Sequence, residues 1–205
     1  MQAPKKREDP RQPRDPRRTR LLFIALGAAI VVAAAAVGIA MAVGGGGGDE
    51  AEAVSPVYAD AGCTYVTRPS MGAQHVEELQ PDFEYNTEPA TSGPHFPAPA
   101  IWNIYDQPVD EIRLVHNLEH GGVIVQYGDD VPEQDVNAIV SWYRPEANGI
   151  IVAPRPDLGA EIALTAWTHL LTCPGFDEAA FTKFREDYRF KGPEAFPPEA
   201  LAPGM

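Results

Sequence analysis

The chain has 205 residues and a formal net charge of −13, from 29 acidic and 16 basic side chains. This acidic balance argues against a nucleic-acid-binding protein and against docking on anionic lipid, because both partners repel negative charge. The charge is unevenly distributed and separates the chain into zones of different composition.

Residues 1–20 hold eight Lys or Arg against three acids, a net charge of +5, and are rich in proline. This composition predicts a solvated, disordered tail. Residues 21–43 carry no charged side chain. At about 1.5 Å per residue they are long enough to cross a hydrocarbon core of about 30 Å, so we expect one transmembrane helix with the lipid bilayer as its partner. The alternative is a cleaved secretory signal, whose apolar region is normally only about 7–15 residues long.

The basic tail should stay in the cytoplasm under the positive-inside rule, which leaves the rest of the chain outside. Residues 44–54 begin with five glycines and continue with acidic residues, which predicts a flexible linker. Residues 55–192 are long enough for one domain with a sizeable core, and residues 193–205 are expected to form an irregular tail. The sequence thus predicts a single-pass protein of the cell membrane with an extracytoplasmic domain.

The chain has two cysteines, Cys63 and Cys173, near opposite ends of that domain. An even number of cysteines in an exported domain predicts a disulfide. Closing a loop of about 100 residues would stabilise the fold by up to about 4.7 kcal/mol on the chain-entropy account. The alternative is a pair of free thiols or soft metal ligands.

Regular secondary structure is expected mainly after residue 110, because residues 81–108 contain six prolines and are predicted to be mostly loop. The predicted elements are a strand at 122–128, a helix at 130–143 capped by Asp130, a strand at 148–154, one long strand at 162–173 and a helix at 177–188 capped by Asp177. The first two strands should be joined by a parallel crossover. This order predicts a small two-layer α+β domain with a mixed sheet and at least two helices, preceded by the transmembrane helix.

Histidine is the residue type that carries candidate chemistry. His116 and His120 would share one face of a helix, with Cβ atoms about 5–6 Å apart, which suits chelation of one ion. On a strand the same spacing would separate them by about 13 Å. Residues 110–121 fit a helix that begins at Asp110 and ends at Gly121, and they fit a strand or turn equally well.

His95 lies in the segment TSGPHFPAPA, where three prolines and a glycine leave little room for regular structure. Prolines stiffen the backbone around it, and polar residues of ordered loops are often functional. We predict that His95, His116 and His120 bind a zinc or copper ion, with a position left open for water or another ligand. The alternative role for His95 is a hydrogen bond to its own turn.

Other residues are weaker candidates for metal ligands or catalytic groups. His75 and Met71, in MGAQHV, would add an imidazole and a thioether, and the sulfur would favour copper. His169 is interpreted as a histidine packed within the sheet. Ser92 lies close to His95, but no oxyanion hole is marked beside it.

The sequence HNLEH, residues 116–120, also matches the short H-x-x-E-H signature of inverted zinc peptidases, in which the glutamate activates water. Glu119 is therefore the candidate catalytic residue. The signature does not mark a third metal ligand, so whether the protein is an enzyme is left open.

The motifs TSGPHF, VHNLEHGGVIVQY, TAWTHLLTC and GPE together resemble the family catalogued as domain of unknown function 3105, over about residues 55–194. The resemblance implies a membrane-anchored layout and places His95, His116 and His120 in matching motifs, but it implies no activity. The expected function is that of a membrane-anchored extracytoplasmic domain that binds a transition metal through a histidine cluster. A non-catalytic module for an unknown envelope partner and a metal-assisted hydrolase are the alternatives.

Overall fold

A computed structural model describes residues 54–205 of the chain. The predicted basic tail (1–20) and membrane segment (21–43) lie outside these residues, as does nearly all of the predicted linker (44–54). Between residues 54 and 205, no helix has both the length and the apolar character needed to span a bilayer.

The described part of the chain forms a mixed five-stranded sheet with four α-helices. The helices are α1 (Pro56–Asp60), α2 (Glu111–Glu119), α3 (Glu133–Tyr143) and α4 (Glu178–Tyr188); the strands are β1 (Thr64–Thr67), β2 (Val123–Tyr127), β3 (Ile150–Pro154), β4 (Ile162–Ala166) and β5 (His169–Cys173). The strand order is β1-β5-β4-β2-β3, in which β2 and β3 are parallel and the other neighbours are antiparallel. The predicted α+β class, the mixed sheet and the parallel pairing of the first two predicted strands are confirmed.

Both faces of the sheet are covered, because its central strands are apolar at successive positions. Val123 and Val125 of β2 belong to a core cluster with α3 and α4, whereas Ile124 belongs to a second cluster with α2 and Trp102. Strands buried on both faces read as continuous apolar runs instead of alternating ones. The expected two-layer arrangement is therefore wrong. Helix α2 and the loop of residues 81–108, called the proline-rich loop below, cover the face opposite to α3 and α4.

The single long strand predicted at 162–173 is a hairpin. Strands β4 and β5 pair with each other and are joined by a turn at Trp167 and Thr168. Thr168 has a φ of 67°, a region that β-branched residues rarely adopt. Tight hairpin turns usually contain glycine or asparagine. Neither is present at this turn, so the sequence predicted one continuous strand.

The helix caps predicted at Asp130 and Asp177 have different outcomes. Helix α3 begins at Glu133 with Pro132 at its cap position and no side-chain capping bond, so the cap predicted at Asp130 is wrong. Asp177 does cap α4, because its Oδ1 accepts a hydrogen bond from the Ala180 N–H at 2.8 Å.

The predicted disulfide between Cys63 and Cys173 is confirmed. It joins the residue just before β1 to the last residue of β5, and both cysteines are buried. Because the chain has no other cysteine, the oxidised protein has no thiolate to offer a metal.

The segment that fitted either a helix or a strand is helix α2. His120 is its C-cap residue, and Gly121 follows with a φ of 88°. A Cβ on Gly121 would lie 2.9 Å from the backbone of Phe190. Glycine is required there both by the backbone conformation and by the close approach of another chain segment.

The chain from Phe190 onward packs across the C-terminus of α2, and this includes the tail after residue 192, which was expected to be irregular. The Phe190 N–H donates to the Gly121 carbonyl at 2.7 Å, and the Glu194 N–H donates to the Glu119 carbonyl at 3.0 Å. Further along, Leu201 ends a short 3-10 helix and is only 2% exposed. The tail is thus part of the folded domain.

Replacing Gly192 with alanine should destabilise the domain by about 1–3 kcal/mol, because the added methyl group has no space. A Cβ there would overlap the backbone of Glu119 and Gly121. Gly175→Ala is the control, since its Cβ would meet only the carboxylate tip of Asp135, at 3.0 Å. Chemical denaturation of both variants measures the difference, and equal stability would contradict the placement of the tail.

Candidate metal centre

Four of the five histidines of the chain lie with two glutamates at the C-terminal end of α2. The inner group is His75, His95, His116 and Glu119, each of which offers a ligand atom within 4.8 Å of the others. The outer group is Glu119, His120 and Glu194, which meet the same distance. Glu119 belongs to both groups.

The proline-rich loop holds His95 inside the domain, where it is 0% exposed. The backbone N–H of His95 donates to the Gln74 carbonyl at 2.9 Å, and the backbone N–H of Val76 donates to the His95 carbonyl at 2.8 Å. On the other side, the Phe96 N–H donates to the carbonyl of Ile112 in α2, at 3.0 Å. The loop lacks regular secondary structure but is fixed on two sides.

The residues before His95 are needed to build this loop. Ser92 is buried, and its Oγ accepts a hydrogen bond from the Met71 N–H at 3.1 Å. Gly93 has a φ of 129°, and a Cβ there would lie 3.0 Å from the ring of Tyr85. Ser92 therefore lies near His95 because both belong to this loop. Its hydroxyl is hydrogen-bonded to the backbone and helps to hold the loop conformation.

Asn117, which the sequence analysis did not single out, fastens the same loop to α2. Its Oδ1 accepts from the Ala100 N–H at 2.9 Å, and its Nδ2 donates to the Ala100 carbonyl at 2.8 Å. Both polar atoms of this buried amide are thereby satisfied. Since Asn117 follows His116 directly, the contact keeps the loop beside the candidate ligand.

Two imidazoles donate their Nδ1 protons to backbone carbonyls. His95 Nδ1 lies 2.9 Å from the Gly93 oxygen, and His116 Nδ1 lies 2.7 Å from the Phe96 oxygen. A carbonyl oxygen can only accept a hydrogen bond, so Nδ1 is the protonated nitrogen in both rings. In the neutral rings, Nε2 therefore carries the electron pair that can bind a cation.

The Nε2 atom of His95 faces the carboxylate of Glu119, with Oε2 at 3.0 Å. His75 Nε2 lies 3.5 Å from the same oxygen. Glu119 is itself buried. Because the electron pairs of a neutral Nε2 and a carboxylate repel each other, either a proton or a metal cation must lie between His95 and Glu119.

His116 and His120 share one face of α2, and their Nε2 atoms are 3.0 Å apart. Burial lowers the pKa of His116, and the nearby His95 and His75 act in the same direction against the Phe96 hydrogen bond and Glu119. Burial and His116 likewise lower the pKa of His120, against Glu194 and Glu119. A lowered pKa favours the neutral imidazole, which is the form that binds metal.

The three ligands predicted from the sequence are divided between the two groups. His95 and His116 lie in the inner group, and His120 lies in the outer group. The inner group also contains His75, which the sequence suggested only as an additional imidazole. The side chain of His75 is 46% exposed, so solvent can reach the inner group at this position.

Met71 and His169 make their contacts outside both groups. The Met71 Sδ accepts a hydrogen bond from the Asn86 N–H at 3.1 Å. His169 begins β5, and its Nδ1 lies 2.7 Å from the hydroxyl of Tyr65. A thioether ligand from Met71 would require the loss of its present contact.

Glu194 is the candidate ligand that the sequence analysis missed. Its Oε2 lies 3.7 Å from His120 Nε2, although it is far from His120 in sequence. The available signal was the GPE motif, in which Gly192 permits the close approach of the tail to α2. That signal indicates a tight contact but does not identify its partner.

The profile of the family described as "Protein of unknown function (DUF3105)" matches residues 75–200. This match covers more than half of the chain and includes every residue of the inner and outer groups. Comparison with curated proteins gives no significant match, and comparison with solved structures gives none either.

Proposed function

We propose that this chain, which belongs to the DUF3105 family, binds a divalent transition-metal ion through the inner group. The proposed ligand atoms are Nε2 of His95, Nε2 of His116, a ring nitrogen of His75 and the carboxylate of Glu119. The observation that carries the proposal is the donation of both Nδ1 protons, from His95 and His116, to carbonyls. Metal-binding histidines almost always donate their other N–H in this way, which fixes the tautomer and orients the ring.

The distances within the inner group support this proposal. Ligand atoms 2.0–2.1 Å from a zinc ion are about 3.3 Å apart at the corners of a tetrahedron. Glu119 Oε2 already lies 3.0 Å from His95 Nε2 and 3.5 Å from His75 Nε2. Each of the four residues offers a ligand atom within 4.8 Å of those of the others, so rotations of the side chains would be needed to close all four on one ion.

The ligand types favour Zn²⁺ or Cu²⁺. Imidazole suits zinc, copper, nickel and iron, whereas a thioether would favour Cu⁺ and thiolates would favour Cu⁺, zinc or an iron–sulfur cluster. Both cysteines are in the disulfide, and Met71 accepts a hydrogen bond from Asn86. A divalent ion would also replace the proton otherwise needed between His95 and Glu119.

We further propose that residues 21–43 hold this domain at the outer face of a cell membrane. The basic charge of residues 1–20 and the uncharged run that follows support this orientation. The disulfide supports an oxidising compartment.

Zinc titration of the full chain tests the metal proposal. The protein is purified in mild detergent, stripped with a chelator and kept in excess Mg²⁺ to occupy surface carboxylates. At a free zinc concentration of about 100 times Kd, the expected stabilisation is about 2.7 kcal/mol. For a domain of this size that stabilisation corresponds to a rise in Tm of about 5–10 °C.

Two variants make this titration specific. His116→Ala should abolish the zinc-dependent rise in Tm. His169→Gln is the matched control, because it changes the one histidine outside both groups and should respond to zinc like the wild type. A wild-type Tm that does not depend on zinc would contradict the proposal.

A non-catalytic module for an envelope partner is the second candidate, and the loop contacts support the structural role that it gives to the histidines. The His116 bond to Phe96 and the backbone pairing of His75 with His95 hold the proline-rich loop in place. If these contacts are purely structural, histidine replacements lower Tm equally in zinc and in chelator. The zinc titration therefore separates the two candidates.

A further inference from the structure

We propose that the outer group is a second metal position, so that the centre holds two divalent ions with the Glu119 carboxylate shared between them. This inference rests on the function proposed above, because the inner group supplies the first ion. The second ion would be bound by Glu119, His120 and Glu194. These three residues each offer a ligand atom within 4.8 Å of the others.

Backbone hydrogen bonds deliver Glu194 to this position. The Glu194 N–H donates to the Glu119 carbonyl at 3.0 Å, so the two candidate ligands are connected through the main chain. Gly192 passes so close to the end of α2 that any side chain there would overlap it. The location of Glu194 therefore does not depend on its own charged contact.

The ring of His120 is also held in place. Its centroid lies 4.3 Å from that of Phe196 and 4.5 Å from that of His116. Its side chain is 13% exposed, whereas that of Glu194 is 59% exposed. The outer position is thus bordered by solvent, and a water molecule can complete the coordination of an ion bound there.

Binding of the first ion removes the present partner of His120. At 3.0 Å the His120 Nε2–H can donate to His116 Nε2, but that electron pair belongs to the inner ion once it is bound. Glu194 Oε2, at 3.7 Å from His120 Nε2, is too far away to accept the hydrogen bond instead. In the tautomer that carries its proton on Nδ1, His120 has a free Nε2 electron pair, and a second cation would then bind His120 Nε2 and Glu194 together.

A carboxylate has two oxygens and can bind two ions, which offsets part of their mutual repulsion. Pairs of ions about 3.5–4 Å apart occur in phosphatases, nucleases and aminopeptidases. The outer group, with two carboxylates and one imidazole, is the harder ligand set. It therefore accepts Zn²⁺ and also Mn²⁺.

Zinc stoichiometry tests the second position, measured by calorimetry and by elemental analysis of the full chain in excess Mg²⁺. The wild type should bind two equivalents, and Glu194→Gln and His120→Gln should each bind one. Glu199→Gln is the matched control, since it removes an exposed glutamate from the same tail and should leave two equivalents.

The outcomes separate this inference from the function on which it rests. One equivalent in both the wild type and Glu194→Gln overturns the second position and leaves the inner site intact. Two equivalents in Glu194→Gln also overturn it, because the second ion then lies elsewhere. No tightly bound zinc in the wild type overturns the proposed function itself.

Discussion

Replacing Glu119 with glutamine should raise the dissociation constant for zinc by more than about 100-fold, beyond the roughly 10–100-fold expected when only a partner of a metal ligand is lost. Glu119 supplies the one negative charge of the inner group, and its Oε2 contacts both His95 and His75. An amide cannot neutralise the ion. Zinc calorimetry on the wild type and the variant measures the effect.

The metal-free variant should remain about as stable as the wild type. The amide N–H of a glutamine at this position can donate to the free electron pair of His95 Nε2, so no buried polar group is left unsatisfied. Thermal unfolding in chelator checks this expectation. Glu133→Gln is the control, because it makes the same change of charge at an exposed position in α3 and should bind zinc normally.

The same variant distinguishes a ligand from a catalytic base. In the H-x-x-E-H peptidases the glutamate activates water while other residues hold the metal. Full zinc binding by the Glu119→Gln variant would therefore contradict ligation by Glu119 and would support the hydrolase alternative.

Replacing both Cys63 and Cys173 with alanine should lower the free energy of unfolding by about 2–5 kcal/mol, because the unfolded chain regains the freedom that the disulfide removes. The two cysteines are 110 residues apart in sequence, so the closed loop includes most of the domain. For a domain of this size the loss corresponds to a fall in Tm of about 5–20 °C.

A reductant provides the internal control for this prediction. The wild type should lose a similar amount of stability when it is reduced, whereas the double variant should not respond. If the variant unfolds at the same temperature as the oxidised wild type, the disulfide contributes nothing and the prediction fails.

The sequence predicted the elements that have strong periodicity or clear boundaries. The buried strands β2 and β3 are bounded by turn residues, and α4 has a true aspartate cap at Asp177. The short elements α1 and β1 were missed, because a five-residue helix and a four-residue strand give too little pattern. The sequence did not predict that both faces of the sheet are covered, although the uninterrupted apolar runs of β2 and β3 indicated it.

The candidate site was predictable where local spacing determines geometry. His116 and His120 meet because α2 is a helix, and His95 was found because its loop is stiff. The grouping itself was not predictable. His75 reaches the inner group through a backbone bridge to His95, and Glu194 reaches the outer group through the packing of the tail, and neither contact has a local signature.

The strand register places the disulfide and the histidines at opposite ends of the sheet. The Cys173 end of β5 aligns, through Ile162, with Tyr127 at the far end of β2. Val123 begins that strand, about 13 Å from Tyr127, and His120 lies three residues before Val123. An ion there would be a second cross-link, chelator-sensitive where the first is reductant-sensitive. Because distant contributions add, oxidation and metal supply would reinforce the two ends independently, and surroundings that are both reducing and metal-poor would weaken the domain most.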